Sequence, residues 1–145
     1  MSIIRPASAR QISIGLTILR IIAGFTVCMH GYQKLFVYGF GGVTGAFTQM
    51  GIPLPGLTGP AIGLLEFFGG IALIIGLFTR PLAALLALDL LGAILFVRMK
   101  GGFFSPNGME LEFVLFGAFA ALAFAGAGSY SADQAIARRT GRAVP

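Results

Sequence analysis

Charged residues are scarce in this chain of 145 residues, which has ten Lys and Arg and five Asp and Glu. At 10% charged it lies far below the roughly 25% of an ordinary soluble domain. So small a fold has too much surface to leave it this apolar in water. Cysteine is nearly absent. Cys28 stands alone, which excludes an internal disulfide and a Cys-x-x-Cys redox pair; it is expected to pack as a small hydrophobe. Histidine is also single, at His30, so bis-histidine haem ligation within one chain is excluded. A His–Met pair using Met29 or Met50 has only weak support. No carboxylate–histidine spacing suggests zinc, and no glycine-rich phosphate loop follows a strand. Neither a haem nor a metal site is expected, and internal repeats and low-complexity tracts are lacking.

What remains is apolar. Hydrophobic residues make up 57% of the chain, with a mean hydropathy of +0.91. Four apolar segments run from about Ile12 to Phe36, Leu57 to Phe78, Leu82 to Val97 and Leu111 to Ala127. Each is within or just short of the ~17–25 residues that cross a bilayer as helix. We therefore expect a single-domain, all-α membrane protein over residues 1–145, a four-transmembrane-helix bundle in contact with membrane lipids. The second and third segments are parted only by Thr79-Arg80-Pro81, a tight turn, since proline suits the first turn of a helix. Residues 38–56, rich in glycine and proline, are expected to form a loop with at most a short interfacial helix around Thr44–Met50. Residues 99–109 form a second loop, with Phe103 and Phe104 at the membrane interface. The first segment is read as a retained helix, because Arg20 and His30 interrupt it and no signal-peptide cleavage site follows.

The net charge of +5 does not point to nucleic acid, because the basic residues sit at the ends of apolar segments. Arg5, Arg10, Arg80, Arg138, Arg139 and Arg142 fall on one side, and Lys34, Arg98 and Lys100 on the other. The imbalance places the N and C termini on the cytoplasmic side. Residues 131–145 are expected as a short basic amphipathic stretch or a frayed tail.

Arg20, His30, Glu66, Asp89 and Glu112 fall inside apolar segments, where charge is expensive and faces the bundle interior. At ~1.5 Å per residue, Arg20 lies ~12 Å and Asp89 ~11 Å from the cytoplasmic ends of their helices, which suggests an ion pair. His30 lies ~9 Å and Glu66 ~13 Å below the outer surface, with Lys34 one turn above His30. These three make an outer cluster, with Glu112 and Asn107 above it. Glu66 has Gly63, Gly69 and Gly70 on its face, Arg20 has Ala23 and Gly24, and Asp89 has Gly92 and Ala93. Small residues let membrane helices approach closely. Two readings stay open. The charges are either internal staples that set helix register, or His30 and Glu66 are proton-handling groups of a polar pocket open toward the outer face.

The order of motifs resembles the DoxX family of small bacterial membrane proteins. It runs Leu19-Arg20, His30-Gly31-x-x-Lys34-Leu35-Phe36, Gly51-Ile52-Pro53 and Gly63-Leu64-Leu65-Glu66-Phe67-Phe68-Gly69-Gly70. Gly76-Leu77-Phe78-Thr79-Arg80 and Gly102-Phe103-Phe104-x-x-Asn107-Gly108-x-Glu110 follow, so nearly the whole chain is covered. The resemblance implies a four-helix bundle in the bacterial inner membrane and an association with oxidoreductase systems, by kinship with a membrane subunit of thiosulfate:quinone oxidoreductase. Arg20, His30, Lys34, Glu66 and Asn107 match its polar pattern. Two departures are Asp89, where the family often has an apolar residue, and Arg98 or Lys100, where it often has a histidine.

The leading expectation is a membrane subunit of a redox system that binds a quinone-like molecule. His30 and Glu66 would handle protons, while Lys34, Asn107 and Glu112 line the ligand site and Arg20–Asp89 holds the bundle. A soluble or membrane redox partner would supply electrons. Alternatives are a non-enzymatic scaffold or assembly partner for other redox proteins, and a small transporter or proton path. The small-residue stripes would also serve a homo-oligomer.

Overall fold

The computed structural model describes residues 6–141, and all regular structure within them is helical. Helix α1 (Ala9–Tyr32) starts at Ser8, whose hydroxyl accepts from the Gln11 N–H while the Gln11 side chain accepts from the Ser8 N–H. This reciprocal cap satisfies two donors that a helix start otherwise leaves orphaned. The helix runs on through a π turn (Gln33–Tyr38) to Gly39, whose φ of +69° breaks its direction. A positive φ costs glycine no Cβ clash, and α2 (Gly39–Gln49) begins there.

The expected 38–56 loop is thus largely helix. Val43 and Phe47 are buried, and a Cβ built at Gly59 of α3 would come within 3.0 Å of Val43 Cγ1. Tertiary packing of this apolar face outweighs the poor helix propensity of Gly39, Gly41, Gly42 and Gly45.

Helix α3 (Pro55–Ile75) opens with proline and ends at Gly76, in the left-handed conformation at φ +79°. Its partner α4 (Thr79–Ala93) carries Pro81 in its first turn and continues through a second π turn (Ile94–Arg98). The expected tight turn is therefore Gly76-Leu77-Phe78, a few residues before the place read from sequence. Residues 102–109 form the expected loop, closed by Met109 N–H to Gly102 C=O at 3.0 Å and Glu110 N–H to Phe103 C=O at 2.9 Å. Helix α5 (Glu110–Ala125) follows, and then α6 (Ala132–Arg139), which starts at a Ser131 cap.

α1 packs along α3 and α4 along α5, and α3–α4 and α1–α5 contacts close the group. At its centre Leu73, Ala83, Leu86, Phe119 and Leu122 are fully buried. The outside is as apolar as the inside. Ile22, Phe25, Leu88, Val114 and Phe124 are all exposed, as they are on a chain solvated by lipid. Three stretches, Ala9–Gln49, Pro55–Ile75 and Thr79–Gly101, are long and apolar enough to cross a membrane. Helix α5 has 16 residues.

The group has two distinct ends. The tail end holds the start of α1, the α3–α4 turn and α6. The loop end holds α2 and residues 99–109. Of the two forms expected for the tail, its described residues take the first, the short basic helix α6. Asp133 in the first turn of α6 accepts from the N–H groups of Phe78 and Thr79 at 2.8 and 2.9 Å, which caps α4. The Asp133 N–H donates to Gly76 C=O at 2.9 Å. Arg5 and Arg142, both used in the charge count, lie outside the described residues.

Candidate intramembrane ligand site

The seam between α1 and α3 sets the site's geometry. A Cβ at Gly70 would lie 2.6 Å from Gly24 O and 2.8 Å from Cys28 N, and one at Gly31 would overlap the Phe67 backbone. Only glycine allows this approach, as expected for small residues at a membrane helix contact. Cys28 packs against Gly70, the role read for it from sequence. The close approach brings the His30-Gly31-x-x-Lys34 turn level with Glu66. Lys34 Nζ donates to Glu66 Oε2 at 2.5 Å, and the Glu66 carboxylate is buried.

Beside this pair lies a cavity of about 170 Å³. Its polar lining is His30, Lys34, Glu66, Asp89, Arg98 and Glu112; Val27, Leu90, Val97, Leu111 and Leu115 supply apolar wall, and Met50 after α2 sits at its edge. Arg98 Nε donates to Glu112 Oε1 at 2.8 Å. Both cations come from π turns, Lys34 from the first and Arg98 from the second. Such turns are rare in helices and concentrate at functional sites. A second, more open groove of about 370 Å³ runs along the exposed side of α1, lined by Met29, His30, Tyr32, Gln33 and Val37. His30 is common to both.

The Arg20–Asp89 pair expected from matched depth does not form. Arg20 is 2% exposed, and its guanidinium donates to the carbonyls of Leu73 (3.1 Å), Ile74 (2.8 Å) and Tyr130 (2.7 Å). It thereby closes the C-terminus of α3, whose last carbonyls lack partners within the helix and whose dipole favours a cation. Arg80 does the same for α5 through Phe124 C=O at 2.7 Å. Depth alone misled because Asp89 can be measured from either end. It lies ~14 Å below Arg98, close to the ~17 Å of Glu66 below Pro55, so it belongs to the outer layer. The stripe beside Asp89 also differs from expectation, since a Cβ at Gly92 would meet nothing within 4 Å. Asn107 is exposed in the 102–109 loop and does not line the cavity. Glu112 does.

Arg98, a helix-end charge by sequence, is also a cavity residue paired with Glu112. The same depth counting, applied across the short 99–109 connection, would have placed it level with Glu112. Among the described residues no three of His, Cys, Asp and Glu converge closely enough to hold a metal ion.

Residues 15–99 match the DoxX family model, covering the α1–α3 seam and the cavity's residues up to Arg98. The chain belongs to the DoxX family. Among its relatives, "Putative oxidoreductase CatD" of Bacillus subtilis (strain 168) is 34% identical over 107 residues, 73% of this chain and 75% of CatD. "Inner membrane protein YqjF" of Escherichia coli (strain K12) is 32% identical over 128 residues, 87% of this chain and 95% of YqjF. "Inner membrane protein YphA" of the same organism is 30% identical over 125 residues, 82% and 88% of the two chains. No solved structure matches the chain. Family and apolar helices together make this DoxX chain a multi-pass membrane protein of bacterial type.

Proposed function

We propose that this DoxX protein is a membrane subunit of a redox system that holds the ring of a quinone-like molecule in the cavity at its loop end. The observation that carries the reading is the cavity itself. At about 170 Å³ it is close to the ~150 Å³ known to accept a single benzene ring. Its mixture of apolar wall and a few convergent polar groups is that of a small-molecule site. His30 and Lys34 supply donors for ring oxygens, and Glu66 holds Lys34 in place. The groove that shares His30 runs along the exposed side of α1, where an apolar tail would leave toward lipid. When bound, such a ring would supply the electron-accepting chemistry. This chain's residues bind, orient and exchange protons, and a partner subunit delivers electrons.

The name of CatD and the names of YphA and YqjF support the class and an inner-membrane location. In this reading α5 is the fourth crossing and both termini are cytoplasmic. Arg10, Arg80, Arg138 and Arg139 lie at the tail end, against Lys34, Arg98 and Lys100 toward the loop end.

The test is binding of a short-chain benzoquinone to the purified protein in lipid nanodiscs. Removing one hydrogen bond from a charged group is worth ~1.5–3 kcal/mol. His30→Ala, which removes one donor, is therefore expected to weaken binding by at least several-fold, and Glu66→Ala, which releases the charged donor Lys34 from its place, by roughly 10- to 100-fold. A protein without affinity for the ring, or with affinity unchanged by both substitutions, would refute the proposal.

A further inference from the structure

Three carboxylates line the cavity, and two are already neutralised. Glu66 is held by Lys34 and Glu112 by Arg98. Asp89, from α4, faces the same cavity and enters neither ion pair. The titratable and charged groups around it are His30 from α1, Lys34 from the first π turn, Glu66 from α3, Arg98 from the second π turn and Glu112 from α5. With both pairs formed, Asp89 is the cavity carboxylate that neither Lys34 nor Arg98 is bonded to.

A proton placed on Glu66 or Glu112 would break the ion pair that carboxylate makes with Lys34 or Arg98. A proton placed on Asp89 breaks neither pair. The cavity of about 170 Å³ has room for roughly six waters at ~30 Å³ each. A ring that enters displaces them. A ring oxygen beside a bare carboxylate would set acceptor against acceptor, and a proton on Asp89 turns that contact into a donated hydrogen bond.

We infer that Asp89, placed by geometry beside the two closed ion pairs, takes up one proton when a quinone-like ring binds and donates it in a hydrogen bond to a ring oxygen. The inference rests on the ring site proposed above. No bond other than the O–H on Asp89 forms, and the proton returns to water when the ring leaves. Asp89 is thus the proton-exchanging carboxylate, and Glu66 is a positioning residue for Lys34.

The experiment is calorimetric titration of the full chain in nanodiscs with a short-chain benzoquinone, in buffers of different ionisation enthalpy and across alkaline pH. The wild type is expected to take up about one proton per ring bound. Its affinity should fall about tenfold per pH unit once free Asp89 is ionised. Asp89→Asn should bind the ring with uptake near zero and an affinity that no longer falls with pH, and Asp89→Glu should restore both. Glu66→Gln should bind more weakly with its uptake intact. Infrared difference spectra of the wild type should gain the C=O band of a protonated carboxyl on ring addition, a readout that does not depend on a variant folding. Full uptake in Asp89→Asn, uptake abolished by Glu66→Gln alone, or no new carboxyl band would each overturn the inference while leaving the ring site standing. A wild type that binds no ring would overturn the site and this inference together.

Discussion

Arg20 offers the sharpest test, because sequence and structure assign it different partners. In Arg20→Met the side-chain volume is nearly kept while all three guanidinium bonds are lost. Leu73 C=O retains a bond from the Gly76 N–H at 3.0 Å, so the loss falls on the carbonyls of Ile74 and Tyr130. Both bonds are part-buried, and a hydrogen bond to a charged group is worth ~1.5–3 kcal/mol, which gives ~3–6 kcal/mol for the two, taken as ~4 kcal/mol. For a chain of this size ~1 kcal/mol moves the melting temperature by ~2–4 °C, so a drop of roughly 8–16 °C is expected. Arg20→Lys should recover only part of this, because an ammonium cannot span three carbonyls as a guanidinium fork does.

The protein carries its own reporter for the assay. Cys28 is the single thiol and is half-buried against α3, so a thiol-reactive dye follows melting in nanodiscs without an engineered cysteine. A double-mutant cycle then decides between partners. Arg20→Met with Asp89→Asn should be additive within about 0.5 kcal/mol, as for residues with no shared contact. Arg20→Met combined with removal of the chain after Ser129 should be strongly non-additive, since Tyr130 C=O is then already gone. A melting temperature within ~3 °C of wild type, or a coupling between positions 20 and 89 above ~1 kcal/mol, would refute the reasoning.

The remaining predictions use the same melt. Gly70→Ala should destabilise by ~1–3 kcal/mol, because its Cβ would press on Gly24 O and Cys28 with α1 and α3 unable to separate. Gly92→Ala, which meets nothing within 4 Å, should be neutral or stabilising by up to ~1 kcal/mol. Lys34→Met leaves the buried Glu66 carboxylate unpaired and should cost ~3–5 kcal/mol, and Lys34→Met with Glu66→Gln should recover much of it. Recovery absent from that double variant would count against a structural Lys34–Glu66 pair. Asp133→Ala removes the cap on α4 and should cost ~1 kcal/mol, with faster proteolysis of the 131–139 tail as a second readout.

The sequence by itself determined what depends on solvent and spacing. Scarce charge and long apolar runs require lipid around the helices, and the helix limits at α1, α3, α4 and α5 came within a few residues of those observed. Glycine at positions 24, 63 and 70 marked faces that another helix can approach, without saying which helix, and His30, Lys34 and Glu66 were legible as one layer because their depths follow from helical rise. Tertiary structure alone decided which of several groups at one depth meet. Rise per residue says nothing about direction around the bundle, so Arg20 was given to Asp89 when the orphan carbonyls of α3 and the tail were the partners within reach. The 39–49 stretch became helix only because α3 offered a face for Val43 and Phe47. Asp89 emerged as the cavity carboxylate outside both ion pairs only once Lys34 and Arg98 had been placed by their π turns.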